Sequence, residues 1–201
     1  MLLGFPEYAP QSARLAERLG LRHATLEVHR FPDGESRIML PAALPERVTV
    51  CRSLDRPNDK LIELLLAAEA ARELGARHLT LVAPYLCYMR QDAAFRPGEA
   101  VSQRIDGRFL ARSFDAVVTV DPHLHRTARL GDAVPAARAC RERGAARASA
   151  FVTHAVFAPG TEARLRAAGI AEVWSSDSVP HASNAVPLAP ILADGLERLG
   201  V

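Results

Sequence analysis

Residues 47 to 83 read RVTVCRSLDRPNDKLIELLLAAEAARELGARHLTLVA. The runs Arg47 to Cys51 and His78 to Ala83 have the length and apolar content of buried strands. Between them, Asp59 to Leu74 is predicted as a helix, because apolar residues recur at helical spacing and Gly75 follows as a stop. The apolar positions of this helix are Leu61, Leu64, Leu65 and Ala68. A strand, a helix and a second strand in this order are typical of a parallel sheet.

The same alternation continues on both sides of this unit. Upstream, the predicted elements are a strand at Leu2 to Phe5, a helix at Ser12 to Leu19, and a hairpin formed by Thr25 to His29 and the run through Ile38 and Leu40. Downstream, helices are predicted at Val101 to Ser113, Ala136 to Arg143, Glu162 to Ala168 and Leu188 to Leu199, and strands at Ala116 to Val120, Ala148 to Thr153 and Glu172 to Ser175. Ala116 to Val120 has the composition of an interior strand. The fold class is therefore α/β, with mostly parallel sheets flanked by helices.

Composition and charge exclude several classes of protein. The chain has 201 residues, 25 Lys and Arg against 23 Asp and Glu, and 49% hydrophobic residues, which is an ordinary globular composition. A net charge of +2 provides no general basic surface, so no nucleic-acid partner is expected. No basic signal region and no membrane-length apolar run are found, so we expect a cytoplasmic protein without a membrane partner. The three cysteines, Cys51, Cys87 and Cys140, are expected to be reduced and buried.

Ligands of parallel sheets bind at the carboxyl ends of the strands, and the loops there carry unusual chemistry. The first such segment, Arg30 to Glu35, places Phe31 beside Asp33 and Glu35 on a tight turn. These residues can stack on a base and accept hydrogen bonds from its amino group. A polar hairpin turn with one anchoring phenylalanine is the alternative, and the turn taken alone favours it.

The second segment, Pro84 to Asp92, directly follows a predicted buried strand. Arg90 can bind phosphate oxygens, Gln91 can orient a sugar or phosphate, and Asp92 can hold Arg90 or a metal-bound water. An ion-paired connecting loop with its tyrosines in the core is an equally good interpretation.

The third segment, Asp121 to Arg126, places His123 and His125 near a carboxylate at the end of a strand. Such histidines can coordinate a metal, assist a magnesium–nucleotide complex or donate to a phosphate, whereas a capped strand end is less favoured. A zinc enzyme pattern, a dinucleotide fingerprint and a Walker A loop are all absent from the sequence. His154, after another predicted strand, is expected to be a structural residue.

Taken together, these segments resemble one family, ribose-phosphate diphosphokinase, also called phosphoribosyl pyrophosphate (PRPP) synthetase. The matching strings are Arg30 to Glu35, Ala83 to Asp92 with Phe95 to Glu99, and Val120 to His125. The part from Ala148 to the last helix is also similar to the end of that family. The resemblance implies transfer of the diphosphoryl group of Mg-ATP to the 1-hydroxyl of ribose 5-phosphate, giving PRPP and AMP. It also implies a phosphoribosyltransferase-like fold of two similar domains, with residues 1–135 as the ATP-binding domain and 136–201 as the remnant of the second.

The resemblance further implies roles for seven residues. Phe31, Asp33 and Glu35 would contact the adenine of ATP bound in a neighbouring subunit, which requires a homo-oligomer. Arg90, Gln91 and Asp92 would bind ATP in their own subunit. His123 would contact Mg²⁺ and the transferring phosphates, so that His123 and Arg90 are the expected catalytic residues. A cation and oriented polar groups suffice for such a reaction, because the protein mainly positions the phosphates and neutralises their charge.

The chain departs from the family pattern at two places. Ala93 and Ala94 stand where family members usually carry basic residues, which predicts a lower affinity for ATP. Leu130 to Pro135 leads straight into the helix predicted from Ala136, where the family has a catalytic Lys/Arg loop and a loop that binds the 5-phosphate of ribose. An internal deletion is therefore predicted, and the surface it exposes favours oligomerisation. Two hypotheses follow, an active enzyme and a catalytically inactive nucleotide-binding homologue or regulatory subunit.

Overall fold

The computed structural model describes residues 1–121 and 148–200, which form two compact units. Residues 1–121 and 188–200 belong to the first unit, and residues 148–187 belong to the second. The domain division predicted between residues 135 and 136 and the helix predicted at Ala136 to Arg143 lie outside the described residues and stay predictions.

Strands and helices alternate along most of the described chain. The strands are β1 (Leu2–Gly4), β2 (His23–Thr25), β3 (Glu27–Arg30), β4 (Ser36–Met39), β5 (Arg47–Cys51), β6 (His78–Ala83), β7 (Ala116–Thr119), β8 (Ala148–Val152), β9 (Ile170–Ser176) and β10 (Asn184–Val186). The helices are α1 (Ala9–Arg18), preceded by a 3₁₀ turn at Pro6–Tyr8, α2 (Pro57–Glu73), α3 (Ser102–Ser113), α4 (Thr161–Ala167) and α5 (Ala189–Arg198). The predicted α/β class is confirmed.

The first unit is built on a five-stranded parallel sheet with the order β2-β1-β5-β6-β7. Successive side chains of a strand face opposite sides, so a strand of consecutive apolar residues buries both faces. One face packs against α2 and α3, and the other packs against α1 and α5. The residues of the first face include Leu3, Val50 and Leu81, and those of the second include Leu2, Cys51 and Val82. Helices therefore cover both faces, as predicted.

Helix α5 returns from the end of the chain to the first sheet. Its residues Leu192, Ala193 and Leu196 are buried in the same cluster as Leu15 of α1. The guanidinium of Arg47 donates to the carbonyl of Gly200 at 2.9 Å. The end of the chain thus completes the core of the unit that contains its beginning.

Two predicted strands differ from the structure. The strand predicted from Thr25 to His29 is divided at Leu26, which is buried and donates its N–H to the Gly4 carbonyl, so β2 lies in the parallel sheet and β3 in a separate hairpin. The strand predicted as interior, Ala116 to Val120, is at the sheet edge within the described residues. Its apolar character arises because helices cover it and not because strands flank it on two sides: Val118 packs in the cluster that holds α5.

The cysteine prediction holds where the structure describes it. Cys51 and Cys87 are free and buried, whereas Cys140 lies outside the described residues. No helix of the described residues is long and apolar enough to cross a membrane.

The second unit has a three-stranded parallel sheet with the order β10-β9-β8, and Leu165 of α4 is buried. Strand β10 was not predicted. It is held in place by Asn184, whose side-chain amide donates to the carbonyls of Ser176 and Val179 at 2.6 and 3.1 Å.

Candidate functional site

The first candidate segment is the turn between the antiparallel strands β3 and β4. Phe31 donates its N–H to the Glu35 carbonyl at 2.8 Å, and Gly34 donates to the Phe31 carbonyl at 2.9 Å. Gly34 has φ +93°, a conformation that side chains other than glycine rarely adopt. A carboxylate oxygen of Asp33 accepts from the N–H of Glu35 at 3.1 Å. The turn therefore has a defined backbone and one oriented carboxylate.

Phe31 lies at the surface of this turn. Its side chain is 41% exposed, and its ring contacts the ring of His29 edge to face at 4.7 Å between centroids. The segment is a hairpin turn, as the alternative interpretation has it, but the ring of Phe31 is not buried in the core. An exposed ring on a rigid turn can stack on a planar ligand.

The hairpin is hydrogen-bonded to helix α2 through the buried carboxylate of Glu63. Its Oε1 accepts from Nε of Arg30 at 3.1 Å and from the hydroxyl of Ser36 at 2.9 Å. Its Oε2 accepts a hydrogen bond from Nη2 of Arg52. Arg30 and Ser36 flank the turn directly, so Glu63 contacts both of its ends.

Arg52 is a fully buried cation with every part of its guanidinium engaged. Besides Glu63, it donates to Oε1 of Glu7 at 2.7 Å and to the carbonyl of Lys60 at 3.0 Å. Its guanidinium carbon lies 3.8 Å from the centroid of the Phe5 ring. A guanidinium with these partners can be buried, because carboxylates balance its charge and each of its nitrogens donates to an acceptor.

The charge of Glu63 depends on these partners. Burial by itself would raise the pKa of Glu63, but the hydrogen bonds from Arg52 and Ser36 and the charges of Arg52 and Arg30 outweigh it, so the pKa lies below its usual value. Glu63 is thus ionised at neutral pH.

The second candidate segment is the loop after β6. The Tyr85 carbonyl accepts from the N–H of Leu54 at 3.0 Å, and the hydroxyl of Tyr88 donates to Oδ1 of Asn58 at the start of α2. Tyr85 is half-buried and Tyr88 is exposed, so the tyrosines are not both core residues. Tyr88 has φ +56°, a left-handed conformation that is unusual for an aromatic residue.

The polar residues at the end of this loop differ in exposure. Arg90 is exposed, whereas Gln91 and Asp92 are half-buried. The side-chain amide of Gln91 donates to the Ala93 carbonyl at 3.0 Å, and its main-chain carbonyl accepts from Gln103 of α3 at 3.2 Å. Gln91 therefore shapes the loop, and Arg90 faces solvent where an anion can reach it.

A buried pair connects the same loop to α3. The thiol of Cys87 donates to Oδ2 of Asp106 at 3.7 Å, and both side chains are buried. Burial raises the pKa of Asp106 to about 6, although the bond from Cys87 offsets part of this effect. Burial, followed by the nearby Asp106 carboxyl, raises the pKa of Cys87 above its usual range.

The sheet order places the candidate loops side by side. Strands β5, β6 and β7 are neighbours, so Arg52, the loop from Pro84 to Asp92, and Asp121 follow adjacent carboxyl ends. Asp121 is exposed with φ +47°. His123 lies outside the described residues, and its proposed contact with the phosphates stays a prediction.

His154 in the second unit is hydrogen-bonded within its own loop region. Its Nδ1 lies 2.8 Å from the hydroxyl of Ser178, which also donates to the Thr153 carbonyl at 3.1 Å. These bonds agree with the structural role expected for His154.

Sequence reasoning missed the polar residues that support the two loops. Glu63 was read only as part of an apolar helix, and Arg52 and Asp106 were not singled out. A sequence signal exists for two of them, because Glu63 interrupts the apolar run from Leu61 to Ala68 and Arg52 directly follows a predicted buried strand. Such residues need a partner when buried. The identity of that partner is not visible in local sequence.

A family model described as the N-terminal domain of ribose phosphate pyrophosphokinase matches residues 2–113. A ribose-phosphate pyrophosphokinase of Saccharolobus solfataricus is 42% identical over 112 residues, which are 54% of this chain and 38% of the relative. One of Thermococcus kodakarensis is 34% identical over 156 residues, which are 77% of this chain and 55% of the relative. The matched regions therefore cover about half or less of the length of each of these two relatives.

A longer alignment bears on the predicted deletion. A ribose-phosphate pyrophosphokinase of Methanopyrus kandleri is 27% identical over 288 positions that cover 99% of both chains, whereas this chain has 201 residues. The relative thus contains internal sequence without a counterpart here, in agreement with the predicted deletion. The crystal structure of phosphoribosylpyrophosphate synthetase from Mycobacterium smegmatis has a TM-score of 0.79 at 17% identity and covers 100% of this chain and 98% of that one. At this identity the likeness concerns the fold.

Proposed function

Since the chain belongs to the ribose-phosphate pyrophosphokinase family by its N-terminal domain, we propose that it binds Mg-ATP in its first unit and transfers the diphosphoryl group to the 1-hydroxyl of ribose 5-phosphate. The products would be PRPP and AMP. The adenine of ATP would be contacted across a subunit interface, so the proposed enzyme is a homo-oligomer.

The turn from Phe31 to Glu35 carries this proposal. It presents an exposed aromatic ring and a carboxylate whose position is set by a hydrogen bond to the main chain. Adenine offers a flat ring for stacking and an amino group that donates to a carboxylate. The turn belongs to a two-stranded sheet separate from the five-stranded one, which suits contact with a nucleotide held by a neighbouring subunit.

Arg90 would neutralise the charge of the triphosphate. Its guanidinium is exposed at the carboxyl edge of the sheet and can donate two parallel hydrogen bonds to phosphate oxygens. Because the diphosphoryl group carries dispersed negative charge during transfer, a fixed cation lowers the barrier. Ala93 and Ala94 supply no further charge next to this loop, so we propose a weaker affinity for ATP than a basic pair would give.

The magnesium ion of the proposed reaction would be carried by the nucleotide. The part of the chain that the structure describes contains no group of three or more His, Cys, Asp or Glu residues arranged to hold a metal. Mg²⁺ at nucleotide sites commonly keeps several waters and uses substrate phosphates with one or two protein groups, so a protein cage is not needed. His123 is the residue proposed to contact it, and Mg²⁺ would supply charge neutralisation at the phosphates.

A second candidate function is a catalytically inactive nucleotide-binding homologue or regulatory subunit. It is favoured by one observation, the internal sequence that the Methanopyrus relative has and this chain lacks. The ribose 5-phosphate loop of the family is not found in the sequence. The nucleotide half of the site would then serve binding alone.

One assay separates the two functions. AMP release that depends on ribose 5-phosphate is measured on protein of verified mass, together with ATP binding by calorimetry. Turnover supports the enzyme, whereas ATP binding without turnover supports the inactive homologue. Absence of ATP binding in the presence of Mg²⁺ contradicts both.

A separate experiment tests whether residues of two subunits form one ATP site. Phe31→Ala and Arg90→Ala are purified and then mixed under conditions that exchange subunits. If Phe31 of one subunit and Arg90 of another share an ATP, mixed oligomers contain sites with both original residues, and ATP binding recovers. No recovery above the two separate variants would contradict a shared site.

A further inference from the structure

Both segments proposed to hold ATP are bonded to the start of helix α2. Asn58 accepts from Tyr88 of the loop after β6, and Glu63 accepts from Arg30 and Ser36 of the hairpin. The two contacts differ in burial, because the Glu63 side chain is 0% exposed and Tyr88 is exposed. The hairpin therefore rests on the more deeply buried group.

The two oxygens of Glu63 have different partners. Oε1 accepts both hydrogen bonds from the hairpin, and Oε2 accepts the bond from Arg52. Arg52 is itself fixed by Glu7 and by the carbonyl of Lys60. Because Arg52 orients the carboxylate from the sheet side, the position of Oε1 is set by the core and not by the hairpin.

An isolated two-stranded hairpin is marginally stable in water. Strands β3 and β4 pair with each other in their own sheet, so side-chain contacts set their position relative to the five-stranded sheet: the packing of Val28 and Ile38 against the core, and the hydrogen bonds to Glu63 at the ends of the turn. A turn that is already held in its binding geometry loses less conformational entropy when a ligand binds, so the ligand binds more tightly.

We propose that Glu63, oriented by Arg52, is a positioning residue that holds the turn Phe31 to Glu35 in the geometry that recognises the nucleotide. Glu63 is buried beneath the hairpin and acts through Arg30 and Ser36. This inference rests on the proposed function for its nucleotide, but the holding of the turn is measurable without any ligand.

The test replaces the hairpin residues that bond to Glu63 and keeps Glu63 itself. Replacing Glu63 would leave Arg52 buried without its main partner and would destabilise the whole unit. Ser36→Ala and Arg30→Gln each remove one bond to Oε1 and leave the pair of Glu63 and Arg52 in place. The control is Asp59→Asn. Asp59 also faces Arg30, at 3.7 Å and on the same helix, but its side chain is 72% exposed.

Two quantities are measured on the full chain: amide hydrogen exchange and the Kd of Mg-ATP. We expect the double variant Ser36→Ala/Arg30→Gln to exchange the amides of Phe31, Gly34 and Glu35 about tenfold faster and to bind Mg-ATP about tenfold more weakly, since each bond joins a charged group. The amides of β5 and β6 should exchange at the parent rate, and Asp59→Asn should match the parent in both quantities.

The outcomes separate the holding of the turn by Glu63 from the proposed binding of Mg-ATP. Parent-like exchange of the turn amides in the double variant overturns the inference, and so does faster exchange with an unchanged Kd. Equal effects in Asp59→Asn would also overturn it, because surface charge would then explain them. A parent protein that does not bind Mg-ATP overturns the proposed function, while the exchange rates still decide whether Glu63 holds the turn.

Discussion

The hairpin turn and the loop after β6 are each supported by a buried carboxyl, and the two carboxyls differ in charge. Glu63 beneath the hairpin meets Arg52 and Arg30, and its pKa lies below the usual value despite burial. Asp106 beneath the loop accepts a hydrogen bond from the neutral thiol of Cys87, and burial raises its pKa to about 6. Burial alone thus does not set the charge of a carboxyl; the partner does.

The two carboxyls therefore contribute to stability in opposite pH ranges. Glu63 has a lowered pKa in the folded state, so its contribution is present above its unfolded pKa and is lost as the pH falls through the folded pKa. Asp106 has a raised pKa, so the folded state binds more protons than the unfolded state between about pH 4 and pH 6, and stability falls as the pH rises through this range. The loop after β6 therefore rests on a carboxyl that titrates in the folded state at about pH 6.

The largest effect is expected from Glu63→Ala. It leaves Arg52 buried without its main partner, so the free energy of unfolding of the first unit should fall by about 3–5 kcal/mol. Urea unfolding followed by far-UV circular dichroism measures this loss. Trp174, the single tryptophan, lies in the second unit, so its fluorescence reports that unit separately.

The matched control for this variant is Asp59→Ala. Asp59 is on the same helix and faces the same Arg30, but it is exposed, so its loss should change the free energy of unfolding by less than about 0.5 kcal/mol. A Glu63→Ala protein as stable as this control would contradict the account of the buried pair.

An intermediate effect of opposite sign is expected from Asp106→Asn. An amide carries no charge to desolvate, so the fall in stability between about pH 4 and pH 6 should disappear, and the variant should be more stable than the parent at pH 8 by about 2–3 kcal/mol. Unfolding curves at intervals of one pH unit measure this difference. If parent and variant keep the same pH slope in that range, Asp106 is not the titrating group.

The smallest effect is expected from Tyr88→Phe. The hydroxyl bonds to Asn58 at the surface, where water replaces a lost partner, so the free energy of unfolding should fall by about 0.5–1 kcal/mol or less. A double-mutant cycle with Asn58→Ala isolates the bond. A coupling energy between Tyr88 and Asn58 as large as that between Glu63 and Arg52 would contradict the comparison, because the surface bond would then stabilise the loop as strongly as the buried pair stabilises the hairpin.

The alternation of strands and helices was predictable because apolar periodicity reports burial directly. Strand β6 has the predicted bounds, and α2 differs from its prediction by two residues at the start and one at the end. The buried side of α2 was less predictable: Leu64 and Ala68 are buried as expected, but Leu61 and Leu65 are only half-buried and Glu63 is fully buried. A pattern of apolar residues does not predict a buried carboxylate. Burial of Glu63 depends on its partner Arg52, which follows strand β5 and is not part of the helix.

Local sequence was sufficient for the α/β class and for the position of the candidate loops at strand ends, whereas the exposure of Phe31 and Arg90 was decided by the folded structure. The charge of Glu63, the neutral tendency of Asp106 and the return of α5 to the first sheet depended on residues distant along the chain. Such contacts form only when the chain folds, because desolvation and pairing act between groups that share a small volume and not between neighbours in sequence.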